Sequence, residues 1–517
     1  MNMKNLRVTV MGLGLHGGGA AAARFCVSRG AKVTVTDLRD AATLESSLDS
    51  LQDLDIRYVL GEHRREDFTD CDLIVKNPAV PRNAPLLRLA LEQGVAVETD
   101  ISLFLRNLKA MEEDLRKGGD SAHAQVVGIT GTKGKSSTTS ALHHALRTAG
   151  VTSFMGGNIT ISPLLFLDDI RSALEHHAAE FHTLSGPGSR RTDPRRHPWV
   201  VLELSSFQIG DLHLVGESGS GNLFSHGMHW PDWGILTNIF VDHQDYYGNM
   251  ESYVADKRSL FSPMNTTSWS IIGNAGEWTP GFLSAAGGNT VDAADEGVQA
   301  ASLLPEKLLV PGEHQTENLK LTALLLEKAG FAREEIPGLL VNFPGVEHRL
   351  QFLGELGMES SGMRCRVYND SAATIPEACL AAVEAFNSPV FLLCGGSDKG
   401  LDPGPIISAM NKAEKSFLLE GSGSVEISKL IHSSMGGTPA NPVSYSSMEA
   451  AVQAAVQAMQ EFSSDHPGSD PESGPVLLLS PGCASFGMFL NEFHRGRQFI
   501  AAVEHLKNFI PVPQGPA

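Results

Sequence analysis

A chain of 517 residues, 42% hydrophobic and 19% charged, is too long for one hydrophobic core and too apolar to be disordered throughout, so about three globular domains are expected. Its formal net charge of -19 excludes a general affinity for nucleic acid or anionic membrane, and any phosphorylated ligand must be met by local cations. The six cysteines, Cys26, Cys71, Cys365, Cys379, Cys394 and Cys483, form no CxxC pair, which argues against a zinc site or disulfide framework and for buried free thiols.

In chain order, MNMKNL passes directly into a strand, with no signal-peptide pattern and no apolar run of about 18 residues after it. A cytoplasmic protein without membrane insertion is expected, and a monomer. Arg7 to Met11 reads as a strand, Gly12 to Gly19 as a turn, Ala20 to Ser28 as a helix and Lys32 to Thr36 as a second strand, which makes a βαβ unit. Strand-like runs at Asp72 to Val75 and Val95 to Glu98 continue the α/β rhythm up to the charged stretch KAMEEDLRKGGDS, 109 to 121, which reads as a boundary.

A second α/β domain opens at Gln125 to Thr130, with strands at Trp199 to Leu204 and Gly234 to Ile239 and a helix from Glu317. A third follows Phe343-Pro344-Gly345, with strands at Arg364 to Tyr368, Val390 to Cys394 and Val476 to Leu479 and a helix at Pro376 to Ala385. The expected boundaries are 1–108, 109–346 and 347–517. The segments 185–198 and 463–475, rich in Gly, Pro, Ser and charge, read as mobile surface insertions.

The strongest chemical signal is VVGITGTKGKSSTT, 126 to 139, where a β-rich run ends in glycines, lysine and hydroxyls ahead of a helical segment. Glycines let backbone N–H groups converge on an anion and the helix N-terminus adds positive potential. Lys135 can reach the outer phosphates, and the Ser136 hydroxyl can ligate Mg²⁺. The common GxxxxGK[ST] spacing would need glycine at Ile129, so this loop is a variant. Downstream, LELSSFQ puts Glu203 at a strand end, where a carboxylate could hold a metal beside the phosphates. Gly12-x-Gly14-x-x-Gly17, with Asp37 at the end of the next strand, would suit either NAD or a UDP-sugar, since both present a pyrophosphate.

The spelling TGT-x-GK-[ST]-[ST], matched by Thr130 to Ser137, resembles the Mur ligase and folylpolyglutamate synthetase superfamily. ELSSFQ and N-x-x-x-DH-x-D…Y-x-x-x-K, from Asn238 to Lys257, extend the resemblance to the D-glutamate-adding branch of the Mur ligases. It implies three α/β domains: a Rossmann-like UDP-binding domain, a central P-loop ATPase-type domain with a mostly parallel sheet, and a C-terminal Rossmann-like domain. The implied reaction is ATP-dependent ligation of D-glutamate to UDP-N-acetylmuramoyl-L-alanine through an acyl phosphate.

By the same resemblance, ATP lies on Gly131, Thr132, Lys133, Gly134, Lys135, Ser136, Ser137 and Asn318, with Arg349 on phosphate and Asp370 near the ribose. Ser136, Glu203 and a carbamylated Lys257 form the Mg²⁺ set, His243 is a metal or substrate-pocket residue, and Lys135, His243, Lys257 and Arg349 are the catalytic group. Leu15, His16, Asp37 and Arg39 hold the UDP moiety, with Asn158 on the same substrate. Thr374, Lys399, Ser485 and Phe493 hold the amino acid. Domain closure about loops near 108–124 and 345 is implied as well.

Three departures from the family pattern stand out: His16 where threonine is frequent, Asn77-Pro78-Ala79 for Ser-Pro-Gly, and Ala372 where many relatives carry lysine. No DNPR segment of the diaminopimelate- or lysine-adding branch is present. Two other classes compete on the residues alone: a nicotinamide-dependent oxidoreductase built on GLGLHG, and a P-loop motor that hydrolyses ATP without a small acceptor. The first leaves TGTKGKSS unexplained, and the second leaves the C-terminal segments unexplained. His226, His229, His176 and His177 take no role.

Overall fold

The structure is a computed structural model and describes residues 2–15, 17–117, 122–158, 161–184, 194–217, 227–358, 362–434, 443–466 and 474–512. Three separate sheets organise it. In the first, β1 (Arg7–Met11), β2 (Lys32–Asp37), β3 (Ile56–Leu60), β4 (Leu73–Lys76) and β5 (Ala96–Glu98) are all parallel, in the order β3-β2-β1-β4-β5. Helices cover both faces of such a sheet, which is why LIVK of β4 is buried at every position. The order reverses direction at β1, so the glycine turn after Met11 opens at the crevice where α/β sheets bind ligands.

The second sheet is also fully parallel: β6 (Gln125–Thr130), β7 (Ser153–Gly157), β8 (Trp199–Glu203), β9 (Trp233–Asn238), β10 (Trp269–Asn274) and β11 (Asn289–Asp292), in the order β11-β10-β9-β6-β8-β7. β6 therefore lies between β8 and β9, and the register pairs Ile129 with Glu203 and Thr130 with Leu236.

The third sheet comprises β12 (Gln351–Gly357), β13 (Arg364–Asn369), β14 (Val390–Gly395), β15 (Lys415–Leu419), β16 (Ser444–Tyr445), β17 (Val476–Leu479) and β18 (Phe509–Pro511), in the order β16-β15-β14-β17-β13-β12-β18. β12 runs antiparallel to both its neighbours, and the remaining pairs are parallel.

By packing, the chain divides into two compact units, Met1–Leu304 with Glu317–Leu340, and Pro305–Thr316 with Val341–Ala517. Two boundary features differ from expectation. Helix Asp100–Lys117 runs through residue 108, because the apolar spacing of Phe104, Leu108, Met111 and Leu115 continues beneath the charges. Residues 305–316 pack with the third sheet, where the Tyr368 hydroxyl donates to Leu309 O at 2.8 Å.

The expected insertions shrink as well. Residues 463–465 are the last turn of helix Met448–Asp465, with Ser463 fully buried, and Pro194–Arg196 forms a single 3-10 turn. Residues 185–193 and 467–473 lie outside the described residues. All six cysteines are free and buried. Among the described residues no helix is long and apolar enough to cross a membrane.

Within the first unit a buried ion pair joins the first sheet to a helix of the second. Lys76 at the end of β4 donates to Asp211 Oδ2 at 2.5 Å, and both side chains are 1% exposed. Burial pushes the Asp211 carboxyl up to about 6 and the Lys76 ammonium down, so the pair is held by mutual attraction against desolvation. Arg82 paired with Asp256 extends the network. Lys76→Met leaves Asp211 buried without its cation and is expected to cost about 3–5 kcal/mol in denaturant unfolding, whereas Lys76→Met with Asp211→Leu recovers most of it.

Candidate active site

The loop between β6 and helix Lys135–Thr148 is held by the neighbouring strand end. Thr132 N–H donates to Asn238 O at 2.9 Å, and Lys133 N–H to Asn238 Oδ1 at 2.9 Å. Lys133 O in turn accepts from Thr237 Oγ1 at 2.6 Å and Asn238 Nδ2 at 3.0 Å. Gly134 caps the helix at φ 82°, and a Cβ there would collide with Asn318 Oδ1, so the sharp turn requires glycine. Asn318, expected at the nucleotide, thus packs against the glycine turn itself.

Two lysines enter this loop. Lys135 Nζ folds back to Gly131 O at 3.0 Å and Thr132 O at 2.9 Å. Lys257, on helix Met250–Arg258 and only 2% exposed, donates to the same Gly131 O at 2.8 Å, with its ammonium 4.6 Å from the Tyr253 ring centroid. Burial, and then the nearby Lys135 charge, hold Lys257 well below the ordinary lysine range, with Asp242, Asp256 and Glu203 opposing. Tyr253 also bonds Thr132 Oγ1 at 2.9 Å.

Glu203 ends β8 with 2% exposure. One carboxylate oxygen accepts from Asn158 Nδ2 at 2.8 Å, while Oε2 is buried without a hydrogen-bond partner among the described residues. Thr130 Oγ1, on the strand that enters the loop, is orphaned in the same way. A lone buried carboxylate oxygen is costly unless a cation meets it, and oxygen donors are what Mg²⁺ takes. Glu203 and the Ser136 hydroxyl in the first helical turn therefore fit that ion. His243 caps Gln244–Tyr247 at φ 51°, half exposed, with its ring 4.9 Å from Phe207 and 6.2 Å from Tyr253.

In the first sheet, the Asp37 carboxylate is only 5% exposed and accepts from Gly14 N at 3.1 Å and Arg39 N at 2.9 Å, so it braces the glycine turn. Leu15 is half exposed beside it, and His16 lies outside the described residues.

Two family models match the chain: the Mur ligase middle domain over residues 129–316 and the Mur ligase MurD-like N-terminal domain over residues 6–99. The UDP-N-acetylmuramoylalanine--D-glutamate ligase of Treponema pallidum (strain Nichols) is 34% identical, covering 96% of this chain and 97% of its own length. The enzyme of the same name from Roseiflexus sp. (strain RS-1) is 33% identical, covering 98% and 99%. This chain belongs to the Mur ligase family. A solved UDP-N-acetylmuramate-alanine ligase from Thermotoga maritima is 17% identical with a TM-score of 0.45, covering 97% of this chain and 99% of its own. Membership in an ATP-dependent ligase family sets aside the oxidoreductase and motor readings.

In the second unit of this Mur ligase, Asp370 follows β13 with both oxygens engaged, Oδ1 by Leu350 N at 3.1 Å and Oδ2 by Ser480 Oγ at 2.8 Å. Arg349 is exposed one residue before Leu350. Lys399 is also exposed, on a loop bridged to the Ser485 segment by paired backbone bonds between Ser397 and Ala484 at 2.9 and 3.0 Å. A cleft of about 280 Å³ there is lined by Ser397, Lys399, Glu426, Gly482 and Cys483. Ser485 and Thr374 lie near its wall in sequence without lining it, and Phe493 instead lies 5.8 Å from the His348 ring.

Sequence reading gave no role to Asn238, Tyr253 or Arg495. The last is fully buried and donates to Ser371 Oγ at 3.0 Å, Ser371 O at 2.8 Å and Cys483 O at 3.0 Å, which fixes the turn that carries Ala372. It lies in the FHRG segment, directly after Phe493 and His494.

Gly134→Ala is expected to weaken ATP binding at least about tenfold in a nucleotide titration, since strained φ alone costs about 1–2 kcal/mol. Adding Asn318→Ala removes the collision but not the strain, so recovery is partial. Burial raises Asp370 to about 7, so the protonated form is the one the fold favours. Its contribution to stability is complete below the ordinary carboxylate pKa and lost as pH rises through about 7. Asp370→Asn should therefore shrink the fall in Tm between pH 5 and pH 8.

Proposed function

We propose that this chain joins D-glutamate to UDP-N-acetylmuramoyl-L-alanine, with the γ-phosphate of ATP activating the sugar-linked carboxylate as an acyl phosphate. The observation that carries this reading is the full-length likeness to ligases of that name. The amine of the amino acid then attacks the acyl carbon, a C–N bond forms, and phosphate leaves with the former carboxylate oxygen.

On this reading the loop from Gly131 to Ser137 cradles the ATP phosphates, and Lys135 exchanges its two carbonyl acceptors for phosphate oxygens. Bound Mg²⁺ supplies charge neutralisation at the transferring phosphoryl group, and Glu203 Oε2 and the Ser136 hydroxyl would hold it. Lys257 is buried and easily deprotonated, so its neutral amine adds CO₂, forming an N–C bond and losing a proton. The product is an anionic carbamate beside Glu203, an oxygen donor in place of a cation. His243, at the exposed end of the aromatic group, orients the acyl end of the substrate. Asp37 and Arg39 hold the uracil end and Asn158 the sugar side, while Lys399, Thr374 and Ser485 receive the carboxylates of the amino acid.

ADP release with Mg²⁺, ATP and UDP-N-acetylmuramoyl-L-alanine is expected with D-glutamate and not with L-glutamate, D-aspartate, meso-diaminopimelate or L-lysine, and mass spectrometry should find the D-glutamyl product. Turnover with another acceptor instead would overturn the specificity. Lys257→Ala is expected to lower kcat by roughly 10²-fold or more, and short carboxylic acids should restore part of it. Bicarbonate depletion should slow the wild type and leave the variant unaffected.

A further inference from the structure

Helix Asp100–Lys117, the segment entering β6 and the segment entering β9 meet at a second cluster of ligating side chains, which the ligation does not use. Glu112 is fully buried, His229 is 6% exposed and His123 partly exposed, and one ligand atom from each lies within 4.8 Å of the others. His123 Nδ1 is 3.2 Å from Glu112 Oε1, and His229 Nδ1 is 3.1 Å from Glu112 Oε2. On the opposite edge of both rings, Asp232 lies 3.3 Å from His123 Nε2 and 3.2 Å from His229 Nε2. The imidazoles stack at 5.3 Å with 22° between planes.

Both histidines thus point the same way, Nε2 to Asp232 and Nδ1 to Glu112. Asp232 accepting from Nε2–H orients each ring, and each Nδ1, which here donates its proton to Glu112, becomes a ligand when a metal displaces that proton. Imidazole nitrogen suits zinc and its first-row neighbours, whereas Mg²⁺ takes oxygen. Zinc bonds of about 2.0–2.2 Å in a tetrahedron place ligand atoms roughly 3.4 Å apart, close to the two nitrogen–oxygen separations already present. The backbone anchors both carboxylates: Ala124 N donates to Glu112 Oε1 and Val126 N to Asp232 Oδ2, each at 2.9 Å. Arg116 also reaches Glu112 Oε2 at 3.1 Å, but its side chain is 47% exposed and can turn to solvent.

We propose that Glu112, His123 and His229 bind zinc or a similar divalent transition cation, with Asp232 orienting both imidazoles. The ion clips the helix that leaves the first sheet to the edge where the second sheet begins, a structural role remote from the phosphate loop.

The test titrates metal-stripped full-length protein with Zn²⁺, and separately with Co²⁺, in excess Mg²⁺. One tightly bound equivalent is expected, with a visible absorption band for Co²⁺ and a Tm raised by Zn²⁺. His123→Gln with His229→Gln should abolish all three while circular dichroism stays native. Asp232→Asn keeps every ligand and should weaken binding about 10–100-fold. Glu203→Gln should leave zinc binding unchanged, which separates this site from the proposed Mg²⁺ site. Absence of a stoichiometric equivalent, or its persistence in the double histidine variant, overturns the proposal.

Discussion

The parallel pairing of β6 with β8 on one side and β9 on the other is the constraint from which the chemistry follows. Because the three strands point the same way in fixed register, their carboxyl ends deliver Thr130, Glu203 and Asn238 to one edge, although up to 108 residues separate them. The phosphate loop does not hold its own shape. Asn238 and Thr237 clamp Lys133 from the adjacent strand end, Asn318 packs against Gly134, and Tyr253 ties Thr132 to the helix that carries Lys257. A slip of one residue between these strands would turn Glu203 to the other face and separate the carboxylate from the lysines.

Much of this was legible in the sequence, and the reason is local. β1, β6 and β17 begin and end where apolar runs meet glycine, proline or polar residues, so alternation and punctuation were sufficient. The turn from Gly131 to Ser137 was legible because a glycine-capped helix N-terminus needs consecutive residues. The failures are equally physical. The stretch from 109 to 117 looked like a boundary because its surface face is charged, yet Glu112 in its midst is fully buried by partners at 123 and 229. Long-range partners leave no mark on a local window. The packing of 305–316 with the third sheet depends on a bond from Tyr368, some 59 positions away.

Site residues divide along the same line. Lys135, Ser136, Glu203, Lys257 and Asn318 come together within the first unit, and family spelling was needed to single out the last two. Asp37 and Asp370 were read as ligand contacts, and the structure shows each bracing its own turn, with both oxygens of Asp370 engaged by Leu350 and Ser480. Ala372 leaves no cation at its position, and the buried Arg495 secures the preceding residue, Ser371, without replacing the missing side chain.

Lys135 rests on Gly131 O and Thr132 O, so the carbonyls that line the turn are met by a cation from the loop's own helix. On the proposed reading an arriving phosphate would draw this tethered cation away from the carbonyls, exchanging one kind of acceptor for another. Such an exchange would be a side-chain rotamer adjustment, which belongs to a faster class of motion than the rearrangement of a loop.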